Sequence, residues 1–212
     1  KISKVGTQPI IGTQINILSD NIIGKVTLYA TTDKGYKNLT KLSSLSYLKR
    51  KSTFEPSCNI DDLTQNNEDL ILLTGSYNNL FGKLFYANKE KNINLLIKKL
   101  KKIFRDRIYI EIQRHDESQE LNYENFLLNL SIENDLPLIA SQEVFYLAPS
   151  MAEAHDALLC IGEKKFIDDP NRFRYSKQHY FKTKEEVQEL YRDIPEALEN
   201  NYNFPLRFNF KP

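Results

Sequence analysis

The sequence has few of the features that mark disulfide-bonded or membrane-spanning proteins. Its 212 residues include only two cysteines, Cys58 and Cys160. They form no CxxC pair, so neither a disulfide framework nor a structural zinc site is expected, and both thiols are predicted to be reduced. No apolar run approaches the ~18–20 residues that cross a membrane, and the first residues do not form a signal peptide. We therefore expect a cytoplasmic protein with no membrane partner.

The chain also has no large excess of positive or negative charge. Lys and Arg total 29 against 28 Asp and Glu, a formal net charge of +1, so no global field would draw this chain to nucleic acid. The motifs GxxxxGK[ST], GxGxxG and GxSxG are absent, which removes the main support for P-loop, dinucleotide-binding and α/β-hydrolase functions. With 41% hydrophobic residues, the chain is long enough for one sizeable core or two small ones.

What the chain does have is an alternation of strand-like and helix-like segments, which is typical of βα units around a parallel sheet or barrel. The predicted strands are residues 9–17, 25–30, 69–74, 107–113 and 136–146. The predicted helices are residues 35–48, 92–104, 122–134 and 184–190, with others beginning near Leu80, after a Ser150 cap with Glu153 at the third position, and at Pro195. A closed barrel needs about seven or eight units, so we expect further strands upstream of Lys1.

Chemistry-bearing residues are sparse, and several have two interpretations. His115 follows a predicted strand, where barrel enzymes place ligands, but from the residues alone a surface histidine in a polar loop is favoured. His155 lies among apolar neighbours and is expected to pack rather than bind metal. The basic run of residues 98–107 could contact a nucleic-acid backbone, although the solvated face of an amphipathic helix is favoured. The acids and bases of residues 168–174 predict either a partner contact or an internal ion-pair lattice.

A series of short motifs occurs along nearly the whole chain, each of them once. They are PIIG, GYKNLTKL, LLTG, YIEIQRH, EVFY, AHDALLCI, KTKEEV and DIPEALEN. Together they resemble the PHP domain of the bacterial DNA polymerase III alpha subunit, most clearly over residues 143–200. The resemblance implies an α/β fold: a partial, distorted, TIM-like β/α barrel with a helical C-terminal extension. In active PHP domains, histidine and acidic side chains at successive strand ends bind a metal cluster that hydrolyses phosphoesters.

Carried over residue by residue, the resemblance implies a degenerate metal site. Gln14 stands where metal-binding members have Glu, and Ser76 where they have His or Cys. Phe145 stands where they have the histidine of an Asp-x-His motif. His115 and Glu143 are the residual metal positions. The first two ligand motifs of the family would lie upstream of this chain. No catalytic or cofactor-binding residue is expected in this fragment.

The resemblance also implies a place in a larger protein. Residues 1–165 would be the PHP domain without its N-terminal strands, and residues 166–212 a polar loop and helices leading toward the polymerase palm. The parent would be a Mg-dependent, DNA-directed DNA polymerase that contacts DNA. This fragment would bind the proofreading exonuclease subunit and other holoenzyme subunits without a cofactor of its own. The alternative is a metal-dependent phosphoesterase with residual 3′–5′ exonuclease or pyrophosphatase activity.

Overall fold

The computed structural model describes residues 2–49 and 55–209, and within them six strands and eight α-helices. The strands are β1 (Ile11–Ser19), β2 (Ile22–Ala30), β3 (Cys58–Asn59), β4 (Leu70–Leu73), β5 (Ile108–Gln113) and β6 (Leu138–Ser141). The helices are α1 (Asp33–Leu48), α2 (Ile60–Gln65), α3 (Leu80–Tyr86), α4 (Glu90–Phe104), α5 (Glu120–Asn134), α6 (Ala152–Glu163), α7 (Lys184–Leu190) and α8 (Pro195–Asn203). Short 3-10 helices cover Ile2–Val5, Pro149–Met151 and Phe204–Arg207. The α/β class with a helical C-terminal part is confirmed.

The strands form one open, mixed sheet in the order β3-β1-β2-β4-β5-β6. The prediction of a parallel sheet is correct for β4, β5 and β6 but wrong for β1 and β2, which pair antiparallel. Their two-residue loop explains this, because a loop that short can join only antiparallel neighbours. Asp20 and Asn21 both have positive φ, 50° and 60°, as the type I′ hairpin turn requires.

Of two helix caps predicted from the sequence, one is confirmed and the other is wrong. The Thr183 cap is confirmed, since its hydroxyl accepts from the Glu186 amide while the Glu186 carboxylate accepts from the Thr183 amide. The Ser150 cap is wrong. Pro149 opens a 3-10 turn that includes Ser150, and α6 begins only at Ala152 without a side-chain cap. A proline fixes φ near its helical value and so starts the turn earlier than the serine would.

One strand was predicted too long, and one unit was missed. The strand predicted for residues 136–146 ends at Ser141, and Tyr146 instead makes an isolated bridge with Tyr180. The missed unit is β3 with α2, where Asn59 and Asp62 form a capping box. Two-residue strands carry no periodic signal, so local pattern could not find β3.

The hydrophobic core covers both faces of the sheet. The helices cover one face, and the buried set there extends to Tyr191, Ile194 and Ala197 near the C-terminus. On the other face, Phe204 and Phe208 pack on a smaller cluster that includes Tyr109. The division at residues 165/166 stays a prediction, and its outer limits, residues 1 and 212, lie outside the described residues. Within the described ranges, no helix combines the length and apolarity that a membrane crossing requires.

Candidate functional site

The candidate site lies at the carboxyl edge of the three parallel strands. Ser76, His115 and Glu143 each follow one of them, β4, β5 and β6 in turn. Carboxyl ends of neighbouring parallel strands meet at one edge, so the fold brings these positions together. The side chain of His115 is only 3% exposed, and its interpretation as a surface histidine is therefore wrong.

Both ring nitrogens of His115 are engaged by the protein. Nδ1 lies 3.1 Å from Glu120 Oε1, and Nε2 accepts a hydrogen bond of 3.0 Å from the backbone N–H of Glu143. This pairing fixes the proton on Nδ1, since a carboxylate can only accept and an amide can only donate. Burial would raise the pKa of Glu120, but hydrogen bonds from His115 and the Glu117 amide hold it below its ordinary value. In this arrangement His115 has no lone pair directed at a free ligand position.

A stack of four rings, which we call the ring stack, covers this edge. It contains His115, His179, Phe145 and His155, with centroids 4.1, 5.1 and 5.0 Å apart in that order. His155 packs on Phe145, so its predicted packing role is confirmed. His179 donates from Nδ1 to the Glu143 carbonyl, 3.0 Å away, while its buried Nε2 has no hydrogen-bond partner among the described residues. No sequence signal singled out His179, because it lies in a polar loop and contacts His115 and Phe145 only in the folded chain.

Stability is expected to fall as His179 becomes protonated. Burial, and secondarily the neighbouring His115, lowers the pKa of His179 from 6.5 to about 4. Between these values the unfolded chain binds a proton that the folded chain does not. The folded state therefore keeps its full stability with respect to His179 above about pH 6.5, and it loses stability as the pH falls toward 4. We expect the difference in unfolding free energy between the wild type and His179→Gln to shrink by about 2 kcal/mol over this window, measured by urea denaturation.

Charged groups near this ring are common to both proteins. Glu117 Oε1 lies 3.6 Å from His179 Nε2, while Glu120 favours the charged ring and Lys182 opposes it. Groups far from His179 cancel when the variant is subtracted from the wild type, whereas the coupling of these close neighbours to the ring is part of the measured difference. Parallel pH profiles for the two proteins would contradict a buried neutral His179.

Glu111 is a second buried group that the sequence reasoning missed. Its Oε1 accepts from Gln113 Nε2 at 3.0 Å and from the Ser141 hydroxyl, whereas Oε2 has no partner among the described residues. Burial is the largest cause that raises the pKa of Glu111. The available signal was a carboxylate inside IYIEIQ, a strand whose first five residues are all buried. An ionisable group at such a position is a candidate functional residue.

Comparison with known proteins gives the family. The family model described as "PHP domain" matches residues 1–115, more than half of the chain. This chain belongs to the PHP domain family. The PHP domain is a TIM-like barrel type of fold, and the six-stranded sheet of this chain is not closed into a barrel.

Relatives of this PHP domain share one name. It is similar to the DNA polymerase III subunit alpha of Caulobacter vibrioides, 34% identical over an alignment of 215 positions that covers 97% of this chain and 19% of that protein. The protein of the same name from Rickettsia bellii is 36% identical over 208 residues, 98% of this chain and 18% of that protein. The Vibrio cholerae protein is 32% identical over an alignment of 208 positions that covers 96% of this chain and 18% of that protein. The chain thus spans less than a fifth of the length of these relatives.

The predicted ligand positions of the PHP domain are not all brought together. Gln14 is exposed on β1 opposite Thr27, so three strand spacings, roughly 14 Å along the sheet, separate it from β5. Phe145 is part of the ring stack and has no lone pair to offer a metal. In the described part of the chain, no group of three or more His, Cys, Asp or Glu could hold a metal ion. The residual metal role of His115 and Glu143 stays a prediction.

The charged segments have mainly structural partners. Lys99 pairs with Asp61 on the solvated face of α4, and Arg107 donates to the Asn67 and Leu70 carbonyls, both at 2.7 Å. In the loop of residues 168–174, Arg172 is buried against Asp156 of α6, which favours the ion-pair interpretation for that residue.

Proposed function

We propose that this PHP domain is part of a DNA polymerase III alpha subunit and serves there as a structural, partner-binding module rather than as a hydrolase. The parent protein would be the Mg-dependent, DNA-directed DNA polymerase of the polymerase III holoenzyme, with its polymerase carboxylates outside this chain. The relatives' shared name, and the coverage of at least 96% of this chain in the three relatives above, support the assignment to that subunit.

The single observation that carries the noncatalytic role is the hydrogen bonding of His115. A metal ligand must keep one ring nitrogen free of protein donors, with the other usually donating to an outer partner. In this chain the Glu143 amide occupies the second nitrogen at 3.0 Å. Converting His115 into a ligand would break that bond and leave a partly buried amide without an acceptor, which costs about 1–3 kcal/mol.

The replaced positions support the same conclusion. Phe145 takes the position of an imidazole and stacks between His179 and His155. Ring packing therefore stabilises the carboxyl edge of the strands, where active members bind metal ions. Ser76 is a poor ligand, and Gln14 carries no charge to balance a cation. The proposed division assigns residues 166–212 to the connection toward the palm, and the proposed partner of the module is the proofreading exonuclease subunit.

Metal content separates this proposal from a phosphoesterase. We would express the complete alpha subunit, dialyse it against Mn²⁺ or Zn²⁺, and measure bound metal by mass spectrometry for the wild type, His115→Asn and His155→Asn. Metal held by the polymerase palm is common to all three. We expect no loss of metal in His115→Asn relative to the His155→Asn control, and no 3′–5′ exonuclease or pyrophosphatase activity that depends on His115.

Binding of the exonuclease subunit is the second half of the test. Size-exclusion chromatography should show co-elution of the alpha and exonuclease subunits, with EDTA leaving it unchanged, because no metal holds the site together in this proposal. Two or three metal ions lost on His115→Asn, together with lost hydrolysis, would establish the phosphoesterase alternative instead. Failure of the two subunits to co-elute would remove the proposed partner.

A further inference from the structure

Helix α4 and its C-cap residue carry charge of almost one sign. Residues 90–105 include six cations and one acid. Lys99 and Lys101 pair with Asp61 and Asp135. The side chains of the other four cations are exposed and make no ion pair or hydrogen bond within residues 2–49 and 55–209. We call these four the basic stripe: Lys91, Lys98, Lys102 and Arg105.

The basic stripe follows one side of the helix. Its members are 7, 4 and 3 residues apart, which is close to two turns, one turn and one turn of an α-helix. Lys91, Lys98 and Lys102 therefore span about 16 Å along the axis, and Arg105 follows at the C-cap. The side chain between the first two on that side is Leu95, which is 69% exposed. A straight row of cations fits a linear polyanion, whereas a compact anion would need cations that converge on one point.

The helix dipole does not account for this row. It favours cations only in the last turn, where Lys102 lies. Lys91 lies in the first turn, where the dipole opposes a positive charge, and Lys98 lies between the two ends. Like charges one turn apart, such as Lys98 and Lys102, also repel each other and destabilise the helix. An anionic partner along the basic stripe would offset both effects.

We propose that the basic stripe binds the phosphate backbone of duplex DNA. This proposal rests on the proposed function, in which the parent protein is a DNA-directed DNA polymerase. Sites for single-stranded DNA combine a basic groove with aromatic side chains that stack on the bases. The basic stripe lies on the outer side of a helix, and its apolar neighbour is Leu95, so it suits contacts with phosphates alone. Such contacts add affinity that does not depend on sequence and that falls as salt rises.

The salt dependence of DNA binding by the complete alpha subunit tests the proposal. Lys98→Gln/Lys102→Gln removes two charges of the stripe. The matched control is Lys37→Gln/Lys41→Gln, two exposed lysines that are also four residues apart, on α1. Fluorescence anisotropy would give the binding constant of a labelled primer–template duplex at a series of NaCl concentrations. We expect the slope of log K against log salt to become less steep by about 1.8 in the α4 variant, since each lost phosphate contact removes about 0.9, and to keep its wild-type value in the control.

A second variant guards against a folding defect in the first. Lys91→Gln removes one charge at the other end of the helix and should make the slope less steep by about 0.9. Slopes equal to the wild type in both α4 variants would overturn the proposal. A change seen only with a single-stranded oligonucleotide would assign the stripe to single-stranded DNA instead, and unchanged DNA binding with lost co-elution of another holoenzyme subunit would assign it to an acidic protein surface.

Failure of this proposal is distinguishable from failure of the proposed function. A wild-type alpha subunit that binds no DNA would contradict the proposed function itself. A wild-type subunit that binds DNA, with slopes that the α4 substitutions leave unchanged, would contradict only the role of the basic stripe.

Discussion

Replacing Tyr191 with alanine is expected to lower the free energy of unfolding of the chain by about 3–5 kcal/mol. Tyr191 is fully buried where α7 meets the ends of β5 and β6. Its hydroxyl donates to the Ser141 carbonyl at 2.9 Å and accepts from the Arg114 amide at 3.1 Å. Burial raises the pKa of this hydroxyl, so it stays protonated and keeps its role as a donor. Urea denaturation followed by circular dichroism measures the loss.

Two variants separate the ring of Tyr191 from its hydroxyl and from tyrosine in general. Tyr191→Phe keeps the ring but leaves the Arg114 amide and the Ser141 carbonyl without this partner, for a loss of about 1–3 kcal/mol. Tyr202→Ala removes the same atoms from a side chain that is 57% exposed and should change stability by no more than about 0.5 kcal/mol. If Tyr191→Ala and Tyr202→Ala were equally mild, residues after 165 would form a unit separate from the core.

Elements whose signal is local were predictable from the sequence. The stripe Ile93, Leu96, Ile97, Leu100 and Ile103 predicts α4; its first four side chains are buried and Ile103 is half-buried. The continuous apolar run of β4 marks a strand covered on both faces, and its four residues are buried. In both cases the periodicity of burial within one segment fixes the element, and no distant residue is needed.

Features that depend on distant partners were not predictable. The short strand β3 exists only because it pairs with β1, about 40 residues before it, whereas the antiparallel direction of β1 and β2 follows from a local two-residue turn that the sequence analysis missed. The edge of the sheet shows the same limit. His115 and Glu143 were found from a family motif, whereas His179 joins them from 36 residues beyond Glu143 through one backbone hydrogen bond. Glu111 was visible as a carboxylate in a buried strand, but its single-sided hydrogen bonding was not.

Replacing Arg114 with methionine is expected to cost about 2–4 kcal/mol of unfolding free energy, somewhat less than a fully buried ion pair because one partner is exposed. The guanidinium forms bidentate pairs with Glu124 on α5 and with Asp193 after α7, at 2.5–2.9 Å. It also donates to the Leu190 carbonyl at 2.6 Å and lies 5.2 Å over the Tyr191 ring. Hydrogen bonds, first to Asp193 and then to Glu124, raise the pKa of Arg114. Urea denaturation at neutral pH measures the change.

The control for Arg114 is a second arginine in an ion pair with little burial. Arg192 is 74% exposed and pairs with Glu189 three residues before it, so Arg192→Met should cost no more than about 0.5 kcal/mol. Adding Glu124→Gln to Arg114→Met should recover part of the loss, because Glu124 is only 11% exposed and would otherwise remain a charge without its cation. Additive losses in that double variant would mean that the pair between Arg114 and Glu124 contributes nothing measurable, so that Arg114 acts through Asp193, the Leu190 carbonyl and packing on Tyr191.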